Sequence, residues 1–288
     1  MTTLTAEIPN SRLTVGQRVA FVLQARMGDV IAGIPTARRL IDRGVNLHWY
    51  TYRRFFDLLP VEATPVAVPE APQPGVRKYP LGVDARFFAG LEYDTVIHAQ
   101  PGLNHDQWTS RRLHICELIA DLAGEDPRFR PKQIMFPANL AAERAADQAL
   151  GGIEHFVCMA TGPNFSCPAI ADDYYAQLVR LLREKMPVVC IGGGDARAME
   201  GAHSIVDLTP RESAAVIARS AAYIGADTGT TWLAMAASQP FKACLLSGVR
   251  MREGRIGFAD FIDQRRVADF VVEDWPPAAL ARVVLDEC

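Results

Sequence analysis

Ala222-Tyr223-Ile224-Gly225-Ala226-Asp227-Thr228-Gly229-Thr230-Thr231-Trp232-Leu233-Ala234-Met235-Ala236-Ala237-Ser238 sets out the architecture in seventeen residues. An apolar strand around Tyr223 and Ile224 runs into Asp227-Thr228-Gly229, and an alanine-rich helix is expected over 230–238. A strand that turns straight into a helix leaves unsatisfied backbone N–H groups at its tip, where a phosphate or a sugar hydroxyl fits. Asp227 and Thr228 add directional hydrogen bonds, and Gly229 removes the Cβ that would hold a ligand away. The same residues also suit an ordinary helix cap.

Outward from this stretch, the unit of strand, turn and helix recurs. In the first half, apolar runs predict strands over 18–23, 45–50, 64–68 and 94–99. Helical spacing of Val30, Ile34, Ala37, Leu40 and Ile41 predicts a helix over 29–43. Leu113, Cys116, Ile119, Ala120 and Ala123 mark the inner face of another, over 108–122. The proline-rich stretch 69–80 reads as a loop, and 127–131 as a linker. The second half has predicted strands at 156–159, 188–191, 223–224 and 243–246. Its predicted helices are 140–150, 171–185, 195–202, 210–220, 230–238 and 277–286. Alternation through both halves implies two doubly wound parallel sheets, residues 1–130 and 131–288. Ligands in such sheets bind beyond the carboxyl ends of the strands, so two domains with facing strand ends enclose a cleft.

Composition narrows the functions. The chain has 288 residues, 49% hydrophobic and 22% charged, with net charge −3. That balance lacks the basic footprint of a nucleic-acid binder. No apolar run reaches the roughly 18 residues of a membrane span, and the first 14 residues lack an apolar signal core, so a cytoplasmic protein is expected. Six cysteines form no Cys-x-x-Cys pair; Cys158, Cys190 and Cys244 read as core residues, and Cys167 lies in a loop.

Four further strand-end motifs carry candidate chemistry, beside one capping motif. Arg26-Met27-Gly28-Asp29 follows the first strand; Gly28 permits a tight turn, and Asp29 suits either a helix cap or a general base. Ala160-Thr161-Gly162-Pro163-Asn164 offers N–H groups and the Thr161 hydroxyl to phosphate oxygens, or is a plain turn. Gly192-Gly193-Gly194-Asp195 lacks the third spaced glycine of a dinucleotide fingerprint, yet lets a nucleoside approach the backbone with Asp195 near a ribose. Thr209-Pro210-Arg211-Glu212 matches a capping box, with Leu208 just outside as a cover for a base. Arg250, Arg252 and Arg255 cluster after a strand, as a solvated loop or as forks for an anion.

Together these motifs resemble glycosyltransferase family 9, the ADP-heptose heptosyltransferases of lipopolysaccharide core assembly. The resemblance runs from about Arg18 to Gly248 and rests on Arg26-Met27-Gly28-Asp29, on Tyr93 to Gln100, and on Asp227-Thr228-Gly229. It implies a GT-B-like fold of two Rossmann-like domains facing a cleft. It implies inverting, metal-independent transfer of a heptose-like sugar, with no cofactor, from a nucleotide diphosphate donor to an acceptor hydroxyl. By the resemblance, Asp29 is the base and Arg26, Gly28 and Gln100 lie on the acceptor side. Thr161, Gly162, Gly193, Asp195, Leu208, Asp227, Thr228, Gly229, Arg250 and Arg252 line the donor site. The expected partners are an ADP-linked sugar and a glycan, lipid or protein acceptor, with at most peripheral membrane contact. Trp232 stands where the family motif has histidine, His98 where it has an acid, and 162–171 lack the family's lysine. Two alternatives stay open: a degenerate nucleotide or nucleotide-sugar binding protein of the same fold, and a GT-B enzyme using a UDP-sugar. The geometry expected of a transferase places the turns at 29 and 227 opposite each other across a gap.

Overall fold

Continuous apolar runs become strands covered on both faces. Arg18–Val22 (β1) carries four buried residues in succession. It pairs in parallel with Asn46–Thr51 (β2) and Thr95–His98 (β4), and β2 pairs with Thr64–Ala67 (β3), giving the order β3-β2-β1-β4. The computed structural model describes residues 13–24, 26–68, 91–100, 113–130, 132–161, 170–193, 198–246, 248, 257–259 and 266–288.

The helix expected over 29–43 is two: Met27–Ala32 (α1) and Ile34–Asp42 (α2). Pro35 has no N–H to offer the carbonyl one turn back, and the Gly33 N–H tightens onto the carbonyls of Asp29 and Val30, both at 3.1 Å. A 3-10 helix, Arg53–Leu58, follows β2, and Ile115–Leu122 (α3) follows β4.

The connection onward is anchored. Lys132 is almost fully buried, and its ammonium donates to the Pro127 carbonyl (2.7 Å) and to Glu117 Oε1 of α3 (3.3 Å). Leu140–Leu150 (α4) begins at Asn139, whose side chain accepts from the Ala142 N–H. It ends at Gly151, at φ 57°, a conformation glycine adopts without strain.

The second sheet comprises Val157–Ala160 (β5), Val188–Gly192 (β6), His203–Val206 (β7), Ala222–Ala226 (β8), Phe241–Leu246 (β9) and Val267–Val271 (β10). All are parallel, in the order β10-β9-β8-β5-β6-β7. Its helices are Asp172–Leu182 (α5), Pro210–Ala218 (α6), Gly229–Ala234 (α7) and Pro277–Asp286 (α8). Residues 198–202, the described part of a helix expected over 195–202, form turns. Each sheet starts in its middle, runs to one edge, then returns to the other side. The reversal lies between β1 and β4 in one sheet and between β5 and β8 in the other.

Alternation divides the core. Val157, Met159, Ile224 and Leu245 face α5 and α8. Cys158, Val189, Tyr223 and Cys244 face the other way, into an apolar cluster that continues through Trp232 and Leu233 to Phe21, Ile31 and Trp49 of the first sheet.

Candidate functional site at the meeting of two strand-end turns

The strands that flank each reversal end in the residues singled out from sequence. In the first sheet, β1 leads into Arg26-Met27-Gly28-Asp29, and Gln100, only 3% exposed, follows β4. In the second, Thr161, 1% exposed, follows β5, and Asp227-Thr228-Gly229 follows β8. Ligand crevices form at these positions because neighbouring strand ends there feed loops to opposite sides of the sheet.

The turn after β8 is held by buried hydroxyls. The Thr231 hydroxyl donates to the Ala226 carbonyl, and the Tyr223 hydroxyl lies 3.1 Å from Thr231 Oγ1. Tyr223 is completely buried, and burial pushes its phenol well above the ordinary value, so it stays protonated. A Cβ on Gly225 would sit 2.1 Å from the Tyr223 hydroxyl oxygen, which explains the glycine. Thr228 has extended backbone at the start of α7, and its Oγ1 is buried without a hydrogen-bond partner. A buried hydroxyl left in that state costs stability until a ligand or water pairs with it.

At the start of α1, Asp29 is half-buried and accepts the Arg26 N–H through Oδ2 at 3.2 Å. Asp29 is thus not the N-cap, which is Arg26, but the residue three places on whose side chain reaches back to it, and this bond orients the carboxylate. Gly28 is buried and Arg26 exposed.

The two turns come together closely. A Cβ on Gly28 would lie 2.7 Å from Trp232 Cδ1, and one on Gly229 would lie 2.6 Å from Met27 Cε. The expected gap is thus bridged at this point by Met27 and Trp232. Trp232 is 4% exposed and makes a tilted contact with His114 (ring centroids 5.4 Å apart) and an edge contact with Phe258 (5.1 Å). Phe258 is seated in turn by Asp269 of β10, whose carboxylate accepts the Phe258 and Ala259 N–H groups at 3.0 and 2.9 Å.

Of the other sequence-derived residues, Gly193 is exposed beyond β6, and half-buried Leu208 packs on the shared core just before α6. Gly162, Asp195, Arg250, Arg252 and Arg255 lie outside the described residues. Sequence reading missed His114, Met27 and Phe258, which meet only through tertiary packing. The one local signal was Glu117, three residues after His114: its carboxylate accepts the His114 N–H at 3.2 Å, and His114 Nδ1 accepts from the Cys116 N–H at 3.3 Å. Burial lowers the His98 pKa, so this ring, standing where the resembling motif has an acid, is neutral at pH 7. Among the described residues no three His, Cys, Asp or Glu side chains converge as a metal site, and no helix is long and apolar enough to cross a membrane.

No family model matches the chain, and no curated protein matches it by sequence. Solved structures do match. A glycosyl transferase of family 9 from Veillonella parvula DSM 2008 superposes with a TM-score of 0.66 at 11% identity, over 92% of this chain and 88% of that one. E. coli heptosyltransferase WaaC, solved with ADP-2-deoxy-2-fluoro heptose, gives 0.57 at 12% identity, over 94% of this chain and 100% of that one. E. coli ADP-heptose LPS heptosyltransferase II gives 0.57 at 10% identity, over 94% and 98%. At such identities the likeness is one of fold, and the fold is GT-B-like, as the sequence motifs led one to expect.

Proposed function

We propose that this chain is a glycosyltransferase that moves a heptose-like sugar from an ADP-linked donor to an acceptor hydroxyl, with inversion and without a metal. One observation carries the reading: the crevice-forming turn of one sheet packs directly on that of the other, Gly28 on Trp232 and Gly229 on Met27. Such packing supports a site in which the Asp29 carboxylate of the first half acts together with the phosphate-suited turn of the second. The shared fold with glycosyltransferases supports it.

In this mechanism the donor diphosphate lies along Asp227-Thr228-Gly229. Negative charge grows on its oxygens as the glycosidic bond breaks, and donors already in place stabilise that charge without reorganising. The unpaired Thr228 hydroxyl and the N–H groups of the turn supply them. The acceptor hydroxyl attacks the anomeric carbon from the opposite face, and Asp29 takes its proton. A single displacement inverts the centre. Burial of Gln100 and Thr161 at the flanking strand ends limits water, which otherwise hydrolyses the donor. A cytoplasmic location goes with the four buried, unpaired cysteines Cys116, Cys158, Cys190 and Cys244.

Asp29→Asn provides the test, because the amide keeps an oxygen for the Arg26 N–H. The variant is expected to lose at least a hundredfold in ADP release from ADP-heptose while its thermal midpoint stays within about 2 °C, a shift equivalent to about 1 kcal/mol in a chain this size. Wild-type-like turnover would leave Asp29 as a cap only. A second reading is favoured by Trp232 itself, which fills space between the turns: a nucleotide or nucleotide-sugar binding protein without transfer. Saturable ADP-heptose binding in calorimetry, with no turnover on any acceptor, selects that alternative.

A further inference from the structure

The first turn of α7 brings Trp232 back over the residue that opens it: the Trp232 N–H donates to the Thr228 carbonyl at 3.3 Å. The indole lies between two rings, with centroids 5.4 Å from His114 and 5.1 Å from Phe258, and it packs against Gly28 of the first domain. His114 is therefore one ring away from the place where the two strand-end turns meet. It is half-buried, and it comes from the domain that also carries Asp29.

The chemistry of this ring is set by α3. His114 is the N-cap of that eight-residue helix. Its Nδ1 accepts from the Cys116 N–H at 3.3 Å, and its own backbone N–H donates to Glu117 Oε2 at 3.2 Å. A neutral imidazole that accepts at Nδ1 carries its proton on Nε2, on the far side of the ring. The N–H groups at a helix start bear partial positive charge, and a hydrogen bond accepted at one ring nitrogen polarises the N–H at the other. His114 thus extends the positive end of α3 outward as a single N–H group. An anion is the partner that such a group holds most tightly.

We propose that His114 is a nucleotide-binding residue whose Nε2–H hydrogen-bonds a phosphate oxygen of the nucleotide diphosphate. This role rests on the proposed function, in which the diphosphate lies along Asp227-Thr228-Gly229 of the second domain. Because His114 belongs to the first domain, it takes the phosphate nearer the sugar rather than the one nearer the nucleoside. That phosphate carries the leaving oxygen, so the same hydrogen bond strengthens as the glycosidic bond breaks.

ADP and AMP, titrated by calorimetry into the full chain and two variants, test the role. An asparagine side chain reaches the place of Nδ1 and caps a helix well, but has nothing at Nε2; a glutamine side chain reaches Nε2 but is a poor cap. His114→Asn should bind ADP at least about tenfold more weakly than wild type, the loss expected of a hydrogen bond to a charged group. Its AMP affinity should change far less. His114→Gln should unfold at a lower temperature than His114→Asn, yet bind ADP more tightly than that variant. A merely structural role would make affinity follow stability, and the two orders would agree. Unchanged ADP affinity in His114→Asn, an equal loss for AMP, or affinities that rank with the thermal midpoints would each overturn the proposal. Failure of the wild-type chain to bind ADP at all would overturn the reading of the site itself, and the role of His114 with it.

Discussion

Trp232 shows how one side chain can change the meaning of a motif. From sequence it marked a departure from a histidine-bearing pattern; in the structure it packs against the turn of the other sheet, at Gly28. Gly28 is its counterpart, small because the indole lies where a Cβ would go. Gly28→Ala should therefore destabilise by about 1–3 kcal/mol, as overpacking does, despite alanine's better helix propensity. The penalty should largely vanish in a Trp232→Leu background, which itself loses aromatic burial. A double-mutant cycle by denaturant unfolding measures the coupling, and additive costs would show that the two residues are not in contact. None of this pairing was legible in the sequence, where 28 and 232 are separated by most of the chain. The positions of Gln100, Thr161 and Asp227-Thr228-Gly229 just after strands were legible, because those strands show apolar runs, and so was that of Asp29 at the start of the helix after β1.

At the scale of elements, legibility followed burial and capping. β8 and β9 are buried at every position; β8 reads as an unbroken apolar run, and β9 as one from Ala243 onward, past Lys242. α4 spans 140–150 as expected, and α6 starts at Pro210 as the reciprocal cap of Thr209 and Glu212 indicated, though it ends at Ala218 rather than 220. The missed strands β7 and β10 are the two edges of their sheet. Ile205 alone is buried in β7, and Phe270 alone in β10, so neither shows a hydrophobic run. The break between α1 and α2 was missed because apolar periodicity continues across Gly33 while Pro35 interrupts the hydrogen bonds. The α6 cap offers a quantitative check. The Thr209 side chain accepts the Glu212 N–H at 3.3 Å, and Glu212 Oε2 accepts the Thr209 N–H at 2.7 Å. Thr209→Ala should cost about 1 kcal/mol in urea unfolding, and Thr209→Ser much less, since serine keeps the accepting oxygen. Equal losses in both variants would show that the hydroxyl is not the stabilising group.

For the molecule as a whole, stability should carry a pH signature from Lys242. This β9 lysine is fully buried and donates to the Pro240 carbonyl at 3.0 Å, and burial lowers its pKa from 10.5 to about 8. At pH 7 it is charged in both folded and unfolded chains, so holding it inside costs roughly 3 kcal/mol at about 1.36 kcal/mol per pH unit. Between about pH 8 and 10.5 the unfolded chain keeps a proton that the folded chain has released, so this contribution to stability rises with pH. Lys242→Met should raise the thermal midpoint at pH 7, and the gain should shrink as pH climbs through that window. A gain that is constant with pH would mean the effect is packing rather than charge.

The apolar cluster shared by both sheets has a consequence for any attempt to take the protein apart. Cut near residue 130, each fragment would carry half of a torn interior, with Trp232 and Leu233 bare on one and Phe21, Ile31 and Trp49 less sheltered on the other. Produced alone, the pieces should be sticky and poorly soluble; produced together in one cell, they should find each other and copurify.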